Sequence, residues 1–459
     1  MRTDYLGNPV SATSDAAVAA VDDFVGGFLS YETRAAKVVA AAEAAPGEPL
    51  LNAYAAILWL LLEAPEAAVC AAPYLARAQA ALDGANPRER QIVAFASAWS
   101  ADDIPGALAI ADAILDAWPR DLTVLKLRQY HDFNRGDFPA MLRAASRCRA
   151  AAHDVPHLHG MLAFACEQCH LLDEAETAAR HALSLQRKEP WAQHALAHVM
   201  LTQGRIDEGV AFLEGARDTW TGLNSFMDTH LWWHLALFYL SQGRFEAALA
   251  AYDDHCWTQS KDYSQDQVGA VSLLARLELA GVDVGQRWRD LAQHLAVRGD
   301  DVVQPFLTLQ YLYGLARAGR PEAEQLLTAV HRAARDAPDF VRETWRDVAL
   351  SAAEGLVAHA RGDHPAALRG LRAALPRLAE IGGSHAQRDL FDQVILDALI
   401  GSGRLSEAQQ MLELRRGFDP DGVPINRALA EVYDRLGLPE QAARARERIA
   451  RRPVGLPAR

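Results

Sequence analysis

Cysteine is scarce in this chain: five in 459 residues, an odd number. That excludes a disulfide-built scaffold and points to free thiols in a reducing cytoplasm. Long apolar runs are missing too. The longest, "AYAAILWLLL" from Ala53 to Leu62, falls short of the ~20 residues a membrane-spanning helix needs. The opening "MRTDYLGNPV" has neither the charged start nor the apolar core of a secretory signal. Positive charge is in deficit, with 46 Lys and Arg against 59 Asp and Glu and a net charge of −13. Nucleic acid and anionic membrane are therefore not expected as partners. No Gly-rich phosphate loop, GxSxG elbow or dinucleotide fingerprint occurs. Kinase chemistry, serine hydrolysis and hydride transfer are disfavoured accordingly. What is present, 50% hydrophobic and 23% charged residues, fits a folded cytoplasmic protein.

The strongest positive signal is periodic. A turn followed by a small amphipathic segment reads "DDIPGAL" from Asp102, "GDFPAML" from Gly136, "HLLDEAE" from His170, "GRIDEGV" from Gly204 and "GRFEAAL" from Gly243. It continues as "GVDVGQR" from Gly281, "GRPEAEQ" from Gly319, "GDHPAAL" from Gly362, "GRLSEAQ" from Gly403 and "GLPEQAA" from Gly437. The first four starts are each 34 residues apart, and later intervals run from 34 to 43. A 34-residue period with Gly closing one helix and an Ala-rich helix following is the tetratricopeptide pattern. No stretch alternates apolar and polar residues strongly enough to compete as a sheet. The expected fold is an all-α, tetratricopeptide-like α-α superhelix of roughly ten helical hairpins. Residues 1–459 are expected to form a single elongated repeat domain, with divergent helices over 1–100 and repeats over 101–455.

Two repeats carry unusual side chains. "WAQHALAHVM" sets His194 and His198 four apart, and "DTHLWWHLAL" does the same with His230 and His234. Four residues is about one helical turn, so each pair shares a helix face. The pairs stand ten and six residues before Gly204, and thirteen and nine before Gly243. Both therefore fall on the first helix of their repeat, the one that lines the inner surface of such arrays. A shift of three residues turns a pair only about 60°, so both should face one groove, with His198 and His234 the closest pair across helices. Each histidine alone reads as a satisfied core residue. Four together suggest a ligand-binding or catalytic cluster, since imidazole titrates near neutrality. Zinc on the paired histidines is the minority alternative: there is no HExxH and no acid at ligand spacing. No cofactor is expected. Trp232 and Trp233 point about 100° apart, so one at most shares the histidine face as an apolar wall.

A second stretch, "IGGSHAQRDLFDQ" from Ile381, opens a helix with His385, Gln387, Arg388 and Asp389 in or near its first turn. Ser384 reads as its cap. Arg388 beside Asp389 reads either as a plain surface pair or as part of an anion site at a helix start.

Together these stretches resemble the tetratricopeptide repeat protein 38 family, including its bacterial members. The likeness is carried by "EPWAQHALAHVMLTQGRIDEG", "HLWWHLALFYLSQGRFEAALAAYD" and "GGSHAQRD" in that order, with weaker similarity at "QYHDFNRGD" and "SLLARLELAGVDVGQRW". It covers most of the chain from about Leu125. It implies characteristic positions at His194, His198, His230, Trp233, His234, Gln387, Arg388 and Asp389. One block departs: "FLTLQ" places Thr308 and Gln310 where the family pattern has an acid and a histidine. Gln310 stands nine residues before Gly319, the register of His234 before Gly243, so it too should face the groove.

The reading favoured is a small-molecule site, enzymatic in a hydrolase, lyase or isomerase sense or purely binding. His194, His198, His230 and His234 would be its acid, base or hydrogen-bonding groups. Trp233, Asp266, Gln310, His385, Gln387, Arg388 and Asp389 would hold the ligand, with Arg388 on an anionic group and Asp266 or Asp389 orienting a histidine. The alternative is a non-catalytic scaffold that takes a peptide or protein partner in its concave groove.

Overall fold

The computed structural model describes residues 2–451; residues 452–455 of the expected repeat region lie outside the described residues. The chain is all-α and of tetratricopeptide type, apart from a two-stranded ribbon of Arg2–Thr3 against Pro9–Val10. Every one of the ten predicted turns separates two helices of a hairpin. Two further hairpins precede them: Asp15–Leu29 with Lys37–Ala44, and Pro49–Leu60 with Ala67–Ala80.

The turn geometry explains the period. Asp102, Gly136, His170 and Gly204 recur every 34 residues, and all four have positive φ (59°, 68°, 57° and 68°). A left-handed residue ends the first helix and reverses the chain. Glycine takes that conformation freely, and Asp and His tolerate it better than branched residues do. The next residue then caps the second helix. Asp103, Asp137 and Asp363 accept from the backbone N–H of Gly106, Ala140 and Ala366, each followed by Pro in the first turn.

The described chain divides into two compact units. The first comprises Met1–Leu196, Thr219–Met227 and Pro338–Val341; the second comprises Ala197–Asp218, Asp228–Ala337 and Arg342–Arg459. In the first, a buried Arg88 ties the amino-terminal ribbon to the repeats through Asp121 (2.7 Å) and Asp4 (3.2 Å). Its core runs from Leu6 and Val21 through Tyr54 and Phe95 to Leu158.

The second unit curves back on itself. A Cβ at Gly204 would collide with the Phe418 carbonyl oxygen, and one at Gly243 would lie 2.9 Å from Val423. Ser241 donates to Asp419 (2.5 Å), and Arg427 lies over the Phe245 ring. The early turns are thus seated on the 418–423 loop, and only glycine fits there. Beyond its first turns the helix Ser225–Ser241 is enclosed: each residue from Leu231 to Ser241 is buried. A helix that is apolar all round has no solvent face to offer. Its histidines are therefore interior groups. No helix among the described residues is long and apolar enough to cross a membrane.

Candidate functional site

In the second unit His198, from the helix Pro190–Thr202, meets His234 with ring centroids 4.5 Å apart. His230 lies edge-to-face with His234 at 4.8 Å. Each of the three offers a ring nitrogen within 4.8 Å of the others. His194, one turn earlier on its helix, belongs to the first unit, where it stacks on Trp191 at 4.4 Å and touches Phe164. His198, His230 and His234 are all buried, and burial followed by the neighbouring His198 pushes His230 down to about 3. At neutral pH its imidazole is uncharged.

The tryptophans divide as their spacing requires. Trp233 joins the histidines, stacked on His230 at 5.3 Å and edge-on to His234 at 4.8 Å. Trp232 turns away to stack on His255 at 3.5 Å, with Arg217 over its ring. The Trp233 indole N–H is buried without a hydrogen-bond partner. Such an orphan costs roughly 1–3 kcal/mol unless something satisfies it.

Arg276, which the sequence reading did not single out, completes this wall. It projects from the helix Ser264–Leu279 and sits 5.4 Å from the Trp233 ring centroid. It donates to the carbonyls of Ala386 (2.6 Å) and Gln387 (3.3 Å) and to Ser272. Among the described residues no carboxylate lies within salt-bridge distance of it. Burial lowers its pKa to about 10, so the guanidinium stays charged at neutral pH. Its signal was available: a lone basic residue within the apolar run "SLLARLELA".

The "GGSHAQRD" residues open the helix His385–Gly401, whose first carbonyls Arg276 meets. Ser384 and Gln387 form a reciprocal capping box. Arg388 donates to the carbonyls of Gly382 and Gly383, with His385 3.4 Å away, so its guanidinium clamps its own loop. A Cβ at Gly383 would strike the Phe306 ring, which seats that loop on the "FLTLQ" helix. Asp389 pairs bidentately with Arg415 (2.5 and 3.1 Å). Against the opposing effect of burial, Arg415 and then Arg276 hold Asp389 at about 2. Burial and then Asp389 push Asp392 up to about 6. Neither Asp392 nor Arg415 was flagged by spacing or motif.

Asp266 is spent locally, accepting from the Thr229 hydroxyl (3.3 Å) and the Ser260 N–H (3.2 Å). Thr308 bonds back to the Asp301 and Gln304 carbonyls, both at 2.9 Å. Gln310 is buried, and its side-chain oxygen has no hydrogen-bond partner. In the first unit Cys166 and Cys169 stand at C-x-x-C spacing, yet both are free thiols. Burial raises both, Cys166 to about 11, which is the opposite of a reactive thiolate.

A tetratricopeptide repeat family model matches residues 229–254. Similar solved structures include a human IFIT1 dimer with PPP-AAAA, at 12% identity over 96% of this chain and 95% of that one, with a TM-score of 0.42. A human IFIT1 dimer with m7Gppp-AAAA gives 14%, 97%, 96% and 0.43 in the same order. The P58(IPK) TPR domain gives 13%, 79%, 92% and 0.21. The matched repeat is the one bearing His230, Trp233 and His234.

Proposed function

We propose that the second unit binds a small molecule bearing an anionic group, with His198, His230, His234 and Trp233 on one side and Arg276 supplying the fixed charge. The observation that carries this is the buried, partnerless Trp233 N–H beside the Arg276 guanidinium, which no carboxylate among the described residues reaches at salt-bridge distance. Asp389 and Arg415 neutralise each other. Arg276, Arg388 and Arg415 outnumber Asp389 and Asp392 around this helix start, which favours an anion even in a chain of net charge −13. The His230 imidazole, kept neutral by burial, and an indole N–H then supply directional hydrogen bonds, as small-molecule sites require. His230, held near 3, is a hydrogen-bonding group at neutral pH. Asp392, near 6, is the better proton carrier if the ligand is also turned over. The site is proposed to work without a metal. The narrower likeness to the tetratricopeptide repeat protein 38 family belongs with this reading, since His198, His230, Trp233 and His234 are its characteristic positions.

The test is a thermal-shift survey of the full chain with carboxylic acids and phosphomonoesters, followed by calorimetry on any stabiliser. Arg276→Met and His234→Phe should each weaken a true ligand at least tenfold. A stabiliser that binds both variants normally would defeat the assignment. A second reading, a groove for a peptide or protein partner, rests on the tetratricopeptide match at residues 229–254. It is favoured if no small acid binds and a peptide does.

A further inference from the structure

A separate group of ligating side chains lies further along the second unit. His359, at the end of the helix Leu350–Ala360, is buried, and both its ring nitrogens are engaged. Nδ1 lies 3.0 Å from the Tyr313 hydroxyl, and Nε2 lies 2.9 Å from Oδ2 of Asp397. His364, the first residue of the next helix, brings its ring within 6.0 Å of His359, centroid to centroid. Room for it is made by Gly401, one turn beyond Asp397: a Cβ there would lie 2.5 Å from both Cδ2 and Nε2 of His364. Nδ1 of His364 is buried and has no hydrogen-bond partner. One ligand atom from each of His359, His364 and Asp397 lies within 4.8 Å of the others.

From this juxtaposition we propose a divalent-cation site of the zinc type, built from Nε2 of His359, a ring nitrogen of His364 and a carboxylate oxygen of Asp397. Two imidazoles and one carboxylate are a natural set for zinc, with bonds of about 2.0–2.2 Å that put tetrahedral ligand atoms roughly 3.3 Å apart. His359 and Asp397 already approach that spacing. His364 and Asp397 are each only partly buried, with the Asp397 side chain 45% exposed, so small rotations complete the set. Tyr313 supplies what a ligating histidine ordinarily has, a partner on its other nitrogen that fixes tautomer and ring plane. Arg317, whose charge acts on Asp397, is paired with Glu278 at 2.6 Å. Three protein ligands and a half-open edge leave the fourth position for water or a substrate atom. The site stands independently of the His198–His230–His234 cluster.

The experiment uses the full chain without a polyhistidine tag, stripped by chelator, dialysed against zinc chloride and assayed for bound metal. One equivalent is expected. His364→Ala and Asp397→Asn should each lose it, and His198→Ala should keep it. Tyr313→Phe should keep it about 10–100-fold more weakly. Melting curves in chelator show whether each variant is folded, and the half-buried Asp397→Asn serves if His364→Ala is not. Stripped wild-type protein that takes up no zinc overturns the proposal. So does one equivalent retained in folded His364→Ala and Asp397→Asn, or one lost in His198→Ala.

Discussion

Two histidine groups in one unit have opposite surroundings. His198, His230 and His234 sit on helices closed off by the 418–423 loop, with aromatic rings as their neighbours. His359 and His364 sit at a helix junction beside a carboxylate and a phenol, and the carboxylate still reaches solvent. The first environment removes charge: burial holds His230 near 3 and leaves an indole N–H unsatisfied. The second already carries a negative group at ligating distance. Residue type alone does not distinguish binding a neutral or anionic molecule from binding a cation. The neighbours do.

The comparison breaks most sharply on packing. Trp233 is almost wholly buried, whereas His364 is partly exposed. Trp233→Ala should destabilise the second unit by about 3–5 kcal/mol, the usual cost of removing a buried large aromatic. His364→Ala, without metal, should stay near about 0.5 kcal/mol, as surface changes do. Chemical denaturation of both variants in chelator measures this, read as midpoint shifts because repeat arrays depart from two-state unfolding. Equal losses would remove the distinction between an interior and an edge group.

A pH series tests the same contrast at the next scale. The folded His230 pKa of about 3 lies below the unfolded value of about 6.5. Between these values the unfolded chain binds a proton that the folded site refuses. The contribution is present above pH 6.5 and is lost as pH falls toward 3, at up to about 1.4 kcal/mol per pH unit. His131 in the first unit, held near 3 by burial and then Arg128, acts in the same direction. His230→Gln should flatten part of the acid slope and His131→Gln another part. An unchanged slope in His230→Gln would mean that its ring protonates freely in the folded state.

Much of this was legible in the sequence. The ten turns could be read because a left-handed residue is needed at each, and Asp102 and His170 fit the series once spacing is trusted over residue type. The pairing of His198 with His234 followed from counting back to Gly204 and Gly243, since a helix converts spacing into direction. Local bonds that spacing does not show also shape the second stretch. Arg388 donates to the carbonyls of Gly382 and Gly383, partners that come from its own loop. Arg276 does face Trp233, from a helix whose register no motif marked. The His359–His364–Asp397 group was not legible. Its members come from three helices, and the space between them depends on Gly401, which reads as an ordinary helix end.

The smallest expected effect is the most discriminating. Tyr313 and His359 are both buried, and among the described residues their 3.0 Å hydrogen bond is the phenol's one hydrogen bond. If His359 is merely a packed core residue, Tyr313→Phe should cost about 1 kcal/mol, the net value of one such bond, whether or not zinc is added. If the phenol positions a metal-ligating imidazole, a second loss appears only with zinc. Bound metal stabilises the folded state in proportion to the logarithm of its concentration over Kd, so weaker affinity shrinks that gain. The zinc-dependent rise in Tm should then be smaller in Tyr313→Phe than in wild type, while the two chains differ only slightly in chelator. The same substitution should leave any ligand of the His198–His234 cluster unaffected. Parallel losses at both groups would mean that Tyr313 supports the stacking of the whole unit, and the two histidine environments would then be one.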